Sequence, residues 1–170
     1  SESLDPARNQ LGQLAVTMAD QFNQIHEAGF DLEGDAGGAF FSFTGPTTLG
    51  NVKNSGTADM SVTYTDTTKV QASDYTLKYN GSSWNVTRVS DGAAITATSG
   101  TDSDGNPSLS FDGLSVSITG AAAGGDSFTL KTVSNAAGNL QVAITDSSKI
   151  AAASEATSGV SDNRNAQKLL

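Results

Sequence analysis

The stretch PSLSFDGLSVSIT, residues 107–119, determines the fold class that we predict for most of the chain. Each half alternates apolar and hydroxyl side chains, which is the period-two pattern of a strand with one buried face. Asp112-Gly113 between the halves is a strong signal for a hairpin turn. Leu114 and Val116 would then point into a core, so we predict an antiparallel β-hairpin here.

The same pattern recurs on both sides of this hairpin, from about residue 39 to residue 145. A second hairpin signal, Asn80-Gly81, lies between YTLKY and SSWNVTRV. The predicted strands are AFFSF, ADMSVTYT, DYTLKY, WNVTRV, AAITATS, PSLSF, LSVSIT, DSFTLKTV and LQVAIT. Short strands separated by turn signals are typical of an antiparallel β domain, and we expect a compact sandwich or a partly closed barrel.

The first part of the chain carries a helical pattern instead. Asp5 followed by Pro6 is a helix start signal, and Gly29 is placed to end a helix that we expect over Leu4–Ala28. Apolar side chains recur along it at near-heptad spacing. The predicted packing residues on this helix are Leu4, Leu11, Leu14, Met18, Phe22 and Ile25. Such a helix either lies across a sheet or packs on helices from other parts of the protein.

The end of the chain favours helix again. Asp146 is a candidate N-cap before KIAAASEA, and Asp162 or the serine before it is a candidate cap for a further helix. We expect that helix to run on past Leu170, with Leu169 and Leu170 packing against other helices. The two leucines are therefore added to the predicted packing residues.

Together these patterns predict an α+β chain: a long amphipathic helix, an antiparallel β domain and a short C-terminal helical return. We expect residues 1–38 to form one helical leg and a connecting loop. Residues 39–145 would form the β domain, and residues 146–170 would begin the returning leg. This order is typical of a β domain inserted between two legs of a helical stalk.

Composition excludes several classes of function. The 170 residues include 18 acidic and 9 basic side chains, for a net charge of -9, and the basic residues are scattered singly. Nucleic-acid binding and attachment to anionic membranes both need clustered basic residues, so we predict neither. No apolar run approaches the length of about 18 residues that spans a bilayer. The absence of cysteine excludes disulfides and thiolate metal sites.

No segment has the pattern of a catalytic, cofactor or metal site. His26 is the sole histidine, so we expect an ordinary exposed or packed side chain and no histidine-dependent triad. The stretch DSDGN at 102–106 resembles the start of a calcium loop, but Gly113 stands where that loop requires a bidentate Glu. We predict a polar turn there, and a solvated connection at DLEGDAGG, residues 31–38. The prediction is no enzyme, no cofactor and no metal.

Four segments resemble one protein family. They are LDPARNQLGQLAVTMADQFNQIHEAGFDLEGDAGGAFF (4–41), GDSFTLKTV (125–133), VAITDSSKIAAAS (142–154) and SDNRNAQKLL (161–170). In this order they resemble the bacterial flagellar hook-associated proteins that form the hook–filament junction. The residues between about 44 and 120 resemble that family only in the Ser/Thr/Gly-rich character of their strands.

The resemblance implies a structural protein that is secreted through the flagellum and built into its extracellular part. Its helical legs would form inner layers, and its β domain would face outward. The implied partners are other copies of the protein, the hook, the second junction protein and an export chaperone for the full-length chain. No nucleic acid and no membrane insertion are implied.

An adhesive or ligand-binding β module of a secreted surface protein is the alternative. In that hypothesis Trp84, Tyr75, Tyr79 and Phe111 form a recognition surface. A Trp flanked by alternating polar residues is more often an anchor in the core of a β domain. We therefore prefer the structural hypothesis.

Overall fold

The structure, a computed structural model, describes residues 4–28, 41–42, 45–136 and 141–142. These residues contain one long helix, one 3-10 helix and eleven strands. The chain divides into two compact units, Ser1–Gln13 with Gly45–Ala137, and Leu14–Thr44 with Gly138–Leu170. The segments DLEGDAGG, DSSKIAAAS and SDNRNAQKLL lie outside the described residues. The C-terminal helical return and the domain boundaries after residues 38 and 145 therefore stay predictions.

The helix α1 spans Leu4–Ala28, as predicted. A 3-10 helix, Thr67–Lys69, is capped by Asp66, whose carboxylate accepts the backbone N–H of Thr68. The strands are β1 (Phe41–Ser42), β2 (Thr47–Gly50), β3 (Asp59–Tyr64), β4 (Tyr75–Tyr79), β5 (Trp84–Arg88), β6 (Ala93–Ile95), β7 (Thr98–Thr101), β8 (Pro107–Phe111), β9 (Leu114–Thr119), β10 (Ser127–Lys131) and β11 (Gln141–Val142).

Two antiparallel sheets form the β domain of the first unit. The five-stranded sheet has the order β2-β10-β4-β5-β6, and the four-stranded sheet has the order β3-β9-β8-β7. The hairpins β4–β5 and β8–β9 join neighbours in the chain, whereas β2–β10 and β3–β9 join strands that are far apart in sequence. In the second unit, β1 pairs with β11 and Phe41 lies opposite Val142.

The inward faces of these two sheets make the core. Leu77 and Leu130 of the five-stranded sheet and Val116 of the four-stranded sheet are fully buried. The rings of Tyr75 and Phe111, one from each sheet, lie 5.1 Å apart. Two separate sheets that pack face to face are a sandwich. The α+β class with antiparallel sheets is therefore confirmed, and the described sheets do not form a closed barrel.

Both predicted hairpin turns are present. Asp112 (φ 47°) and Gly113 (φ 75°) are both left-handed, which is the conformation that a two-residue type I′ turn requires. A Cβ atom on Gly113 would lie 2.1 Å from the carbonyl oxygen of Asp66, so glycine is needed there for space as well. In the other turn, Asn80 Oδ1 accepts the backbone N–H groups two and three residues on, both at 2.9 Å.

Two features differ from the predicted strands. The prediction lacks β2 because this strand does not alternate buried and exposed apolar residues; its one large apolar side chain, Leu49, is 66% exposed. AAITATS is two strands rather than one. The chain leaves the five-stranded sheet after Ile95, crosses through Thr96 and Ala97, and enters the four-stranded sheet at Thr98.

Candidate assembly surface

Helix α1 buries one face, which is made mostly of small and polar residues. Only Val16 and Ala19 on this face are apolar, so a hydrophobicity pattern does not reveal it. His26 is fully buried there. Of the exposed and packed states that we predict for this histidine, the structure therefore shows the packed one. The buried positions recur three and four residues apart, as in a heptad; they are Asn9, Gly12, Val16, Ala19, Asn23 and His26.

The predicted apolar stripe lies on a different face of α1. We define the stripe as Leu11, Leu14 and Met18, which follow one another at spacings of three and four residues. Their side chains are 56%, 54% and 59% exposed. Large apolar side chains are seldom this exposed in a regular row along one helix. The described chain thus presents an apolar stripe to solvent.

The other predicted packing residues are placed differently. Phe22 and Ile25 of α1 are half-buried. Leu4 is the first residue of α1, but its side chain is outside the described set. Leu169 and Leu170 lie outside the described residues. The assembly role of all these residues, and of the stripe, stays a prediction.

Two contacts attach the first half of α1 to the β domain. Gly12 lies against the backbone that follows β10: a Cβ atom here would be 1.8 Å from the carbonyl oxygen of Val133. The helix can approach this closely only at a glycine. Beside it, Gln13 Nε2 donates to the carbonyl oxygen of Val70 at 2.8 Å. These contacts set the position of the first turns of α1 against the sandwich.

A cluster of charged side chains links the two sheets. Arg88 of β5 donates to Asp112 Oδ2 through Nε at 3.2 Å and Nη2 at 3.0 Å, and to Asp91 Oδ2 through Nη1 at 2.8 Å. The hydroxyl of Tyr75 donates to the same oxygen of Asp112. Burial raises the pKa of Tyr75, and the hydrogen bond to Asp91 is the largest cause of the raised pKa of Arg88. The cluster therefore acts as a fixed cross-link between β4, β5 and the β8–β9 turn.

A second carboxylate, that of Asp126, joins two loops. It is 3% exposed and accepts the backbone N–H of Ser55 on Oδ1, and those of Gly56 and Ala123 on Oδ2, each at 2.9 Å. These bonds lower the pKa of Asp126, the bond from Ala123 most. The negative charge is thus held by backbone donors, and it ties the loop after β2 to the loop before β10.

The stretch DSDGN is a closed polar turn. Asp102 Oδ1 accepts the backbone N–H of Asp104 at 2.9 Å and of Asn106 at 2.8 Å. The bond from Asn106 is the largest cause of the lowered pKa of Asp102.

Within the described ranges, His, Asp and Glu side chains form no group of three that could hold a metal ion. In the same ranges, no helix has the length and apolar character needed to cross a membrane.

The four aromatic residues of the alternative hypothesis do not share a surface. Tyr75 and Phe111 are buried, with 0% and 7% of their surface exposed, and contact each other inside the sandwich. The ring of Trp84 lies 5.1 Å from that of Tyr79 and 5.9 Å from that of Phe128. Trp84 is therefore packed on the core, and a recognition surface built from all four residues is not supported.

Comparison with known proteins identifies both parts of the chain. The family described as flagellar hook-associated protein FlgK helical domain matches residues 1–41. The family described as flagellar hook-associated protein 1, D2-like domain, matches residues 49–132. The first match contains α1, and the second contains most of the sandwich.

Individual relatives agree over the whole length of the chain. Flagellar hook-associated protein 1 of Escherichia coli K12 is 48% identical over 170 residues, and that of Salmonella typhimurium is 44% identical over 177 residues. The structure is similar to that of the flagellar hook junction protein FlgK from Burkholderia pseudomallei, with a TM-score of 0.79 and 34% identity over 87% of this chain and 26% of that one. The chain spans 30% and 31% of the two curated relatives. It belongs to the flagellar hook-associated protein 1 family.

Proposed function

We propose that this chain is part of a structural subunit of the bacterial flagellum, which assembles at the junction between hook and filament by protein–protein packing. The observation that carries the proposal is the apolar stripe, which is exposed on a helix whose other face is already buried. The family membership of the chain supports the same role.

The stripe offers enough apolar surface to matter for packing. Full burial of a Leu or Met side chain gains about 1.5–3 kcal/mol. Each stripe residue is a little over half exposed, so a partner that covers the stripe gains roughly 1 kcal/mol or more per residue. The packing residues that we propose, within the full-length protein and between subunits, are Leu4, Leu11, Leu14, Met18, Phe22, Ile25, Leu169 and Leu170.

The partners proposed for the full-length protein are its own copies, the hook, the second junction protein and an export chaperone. We place it in the extracellular flagellum. Residues 1–38 and 146–170 would be the two legs of a helical layer, and residues 39–145 would be the outward β domain. The β1–β11 pair supports this arrangement, because it brings residues 41–42 beside residues 141–142, where chain would enter and leave an inserted domain.

The test is a substitution in the full-length protein that contains this chain. Leu14→Lys puts a charge in the middle of the stripe, while the exposed residue Gln24 lies on neither the stripe nor the buried face. Gln24→Lys is the matched control, since the new lysine can keep the polar contact that Gln24 makes with Asp20. In cells that lack the native gene, we expect Leu14→Lys to reduce swimming and to release filament subunits into the medium.

Secretion of the variant separates assembly from export. If Leu14→Lys is secreted at the level of Gln24→Lys but fails to hold a filament, the stripe acts in packing at the junction. Normal swimming and normal filament attachment by Leu14→Lys would contradict the proposal.

A further inference from the structure

The sandwich is open along one side. β6 pairs only with Val86–Arg88 of β5, so Trp84 and Asn85 lack a neighbour on that side among the described strands. In the other sheet β7 is an edge strand, and all four of its residues are exposed. A cleft of about 560 Å³ lies between the two sheets at this place.

The apolar lining of the cleft adjoins the buried core of the sandwich. Val86 and Val116, on the inward faces of the two sheets, are 3% and 0% exposed. Trp84, Ile95 and Leu109 lie on the same inward faces and line the cleft, but they are only half-buried. Part of each of these three apolar side chains is therefore exposed at the cleft.

The cleft and the edge strand β7 beside it are both uncharged. None of the described residues that line the cleft has a charged side chain. A charged side chain or a proline usually protects an exposed edge strand from pairing. The sequence of β7, TSGT, has neither. Burying a charged group in such a cleft is costly, so its occupant should be uncharged.

We propose that the cleft and the free edge of β7 bind an extended, uncharged segment of a different protein chain. The segment adds as a strand beside β7 through backbone hydrogen bonds. Its alternate apolar side chains enter the cleft and contact Trp84, Ile95 and Leu109. Strand addition of this kind takes affinity from the backbone and specificity from pockets for every second side chain. The site depends on the β domain alone and not on the function proposed above.

A different chain is favoured over a second copy because each copy carries a net charge of -9. Like charge of this size opposes association of two copies unless their contact surface compensates for it. Among the described residues, neither β7 nor the lining of the cleft has a basic side chain that would do so. A neutral segment of another chain meets no such repulsion.

The probe is a blocked seven-residue peptide of alternating threonine and valine, added to the 170-residue chain. Trp84 is the sole tryptophan and lines the cleft, so its fluorescence reports occupancy. We expect a saturable change in emission, and a matching heat of binding in calorimetry. The same peptide with glutamate in place of valine should not bind, because its side chains would bring charge into the cleft.

Two variants of β7 locate the binding site. Ser99 pairs with Leu109, so its side chain is on the cleft face, whereas Thr98 pairs with Ser110 on the opposite face. Ser99→Lys should weaken binding of the peptide by about tenfold or more, because it places a charge at the cleft. Thr98→Lys is the matched control and should weaken binding by less than about threefold, since its side chain points away.

Each outcome supports or overturns the proposal. The proposal is overturned if the threonine–valine peptide does not bind, or if Ser99→Lys and Thr98→Lys weaken its binding equally while both variants keep the wild-type melting temperature. Assignment to a different chain is overturned if the 170-residue chain alone forms dimers in sedimentation and Ser99→Lys abolishes them.

Discussion

Gly12→Ala tests whether α1 is held against the β domain as closely as the structure shows. The distance from the new Cβ atom to the carbonyl oxygen of Val133 would be 1.8 Å and must open to at least 3.0 Å. A shift of this size in a packed interior costs about 1–3 kcal/mol. It also disturbs the adjacent hydrogen bond from Gln13 to Val70, which is worth about 1 kcal/mol. Alanine recovers only about 0.5–1 kcal/mol through its better helix propensity.

We therefore expect Gly12→Ala to lower the free energy of unfolding by about 1–3 kcal/mol. For a chain of this size, that change lowers the melting temperature by roughly 2–12 °C. Thermal unfolding followed by circular dichroism measures it. The control is Gln21→Ala at an exposed position of α1, where alanine should leave the melting temperature unchanged or raise it slightly. Because an unconstrained helix gains stability from Gly→Ala, a melting temperature at or above wild type for Gly12→Ala would refute the close packing.

Three further predictions concern the sandwich. Asp112→Asn removes the charge that Arg88 and Tyr75 share, and should cost about 1–2 kcal/mol in urea unfolding, whereas Asp104→Asn in the exposed turn should cost almost nothing. Since the pKa of Asp126 is lowered below 3.8 in the folded state, its stabilisation is present above that pH and is lost as the pH falls through the lowered value; Asp126→Asn should flatten the acid limb of stability against pH. Burial raises the pKa of Tyr64 from 10.0 to about 12. The stabilisation that this shift provides is fully present below pH 10 and is lost as the pH rises from 10 to about 12. Tyr64→Phe should therefore reduce the loss of stability in this pH range in unfolding measurements.

The β strands are predictable from sequence wherever apolar side chains alternate along a strand that stays in one sheet. LSVSIT is such a case: Leu114, Val116 and Ile118 are all buried. The break between β6 and β7 is not predictable, because AAITATS contains no turn signal at the point where its pairing partner changes from β5 to β8. A local pattern records which side chains could face a core, but it contains no information about which sheet supplies the neighbour.

The helix shows the same limit in a different way. The bounds of α1 can be predicted from the spacing of its apolar residues and from the signals at its two ends. The face that α1 buries in this chain cannot be predicted in this way. Gly12 is buried because its lack of a side chain allows the backbone of Val133 to approach, and Asn9 and His26 are buried as polar residues. Apolar periodicity points instead to a row of six residues, three of which form the stripe that the described chain leaves exposed.

The charged cluster of Arg88, Tyr75 and Asp112 cannot be predicted from the sequence, for a different reason. Arg88 and Tyr75 meet Asp112 across separations of 24 and 37 residues, so no short motif joins them. Only the pairing of β4 with β5, and the packing of the two sheets, brings the three side chains together. Contacts of this kind are a product of the fold and are not encoded in any one segment.

The pairing of β2 with β10 has a consequence for the order of folding. β10 lies between β2 and β4, so the five-stranded sheet is incomplete until residues 127–131 are available. Domains that depend on such non-local pairs fold slowly compared with domains built from local hairpins. A chain that emerges from a narrow channel with its N-terminus first would therefore remain without a closed core until almost the whole β domain had left the channel.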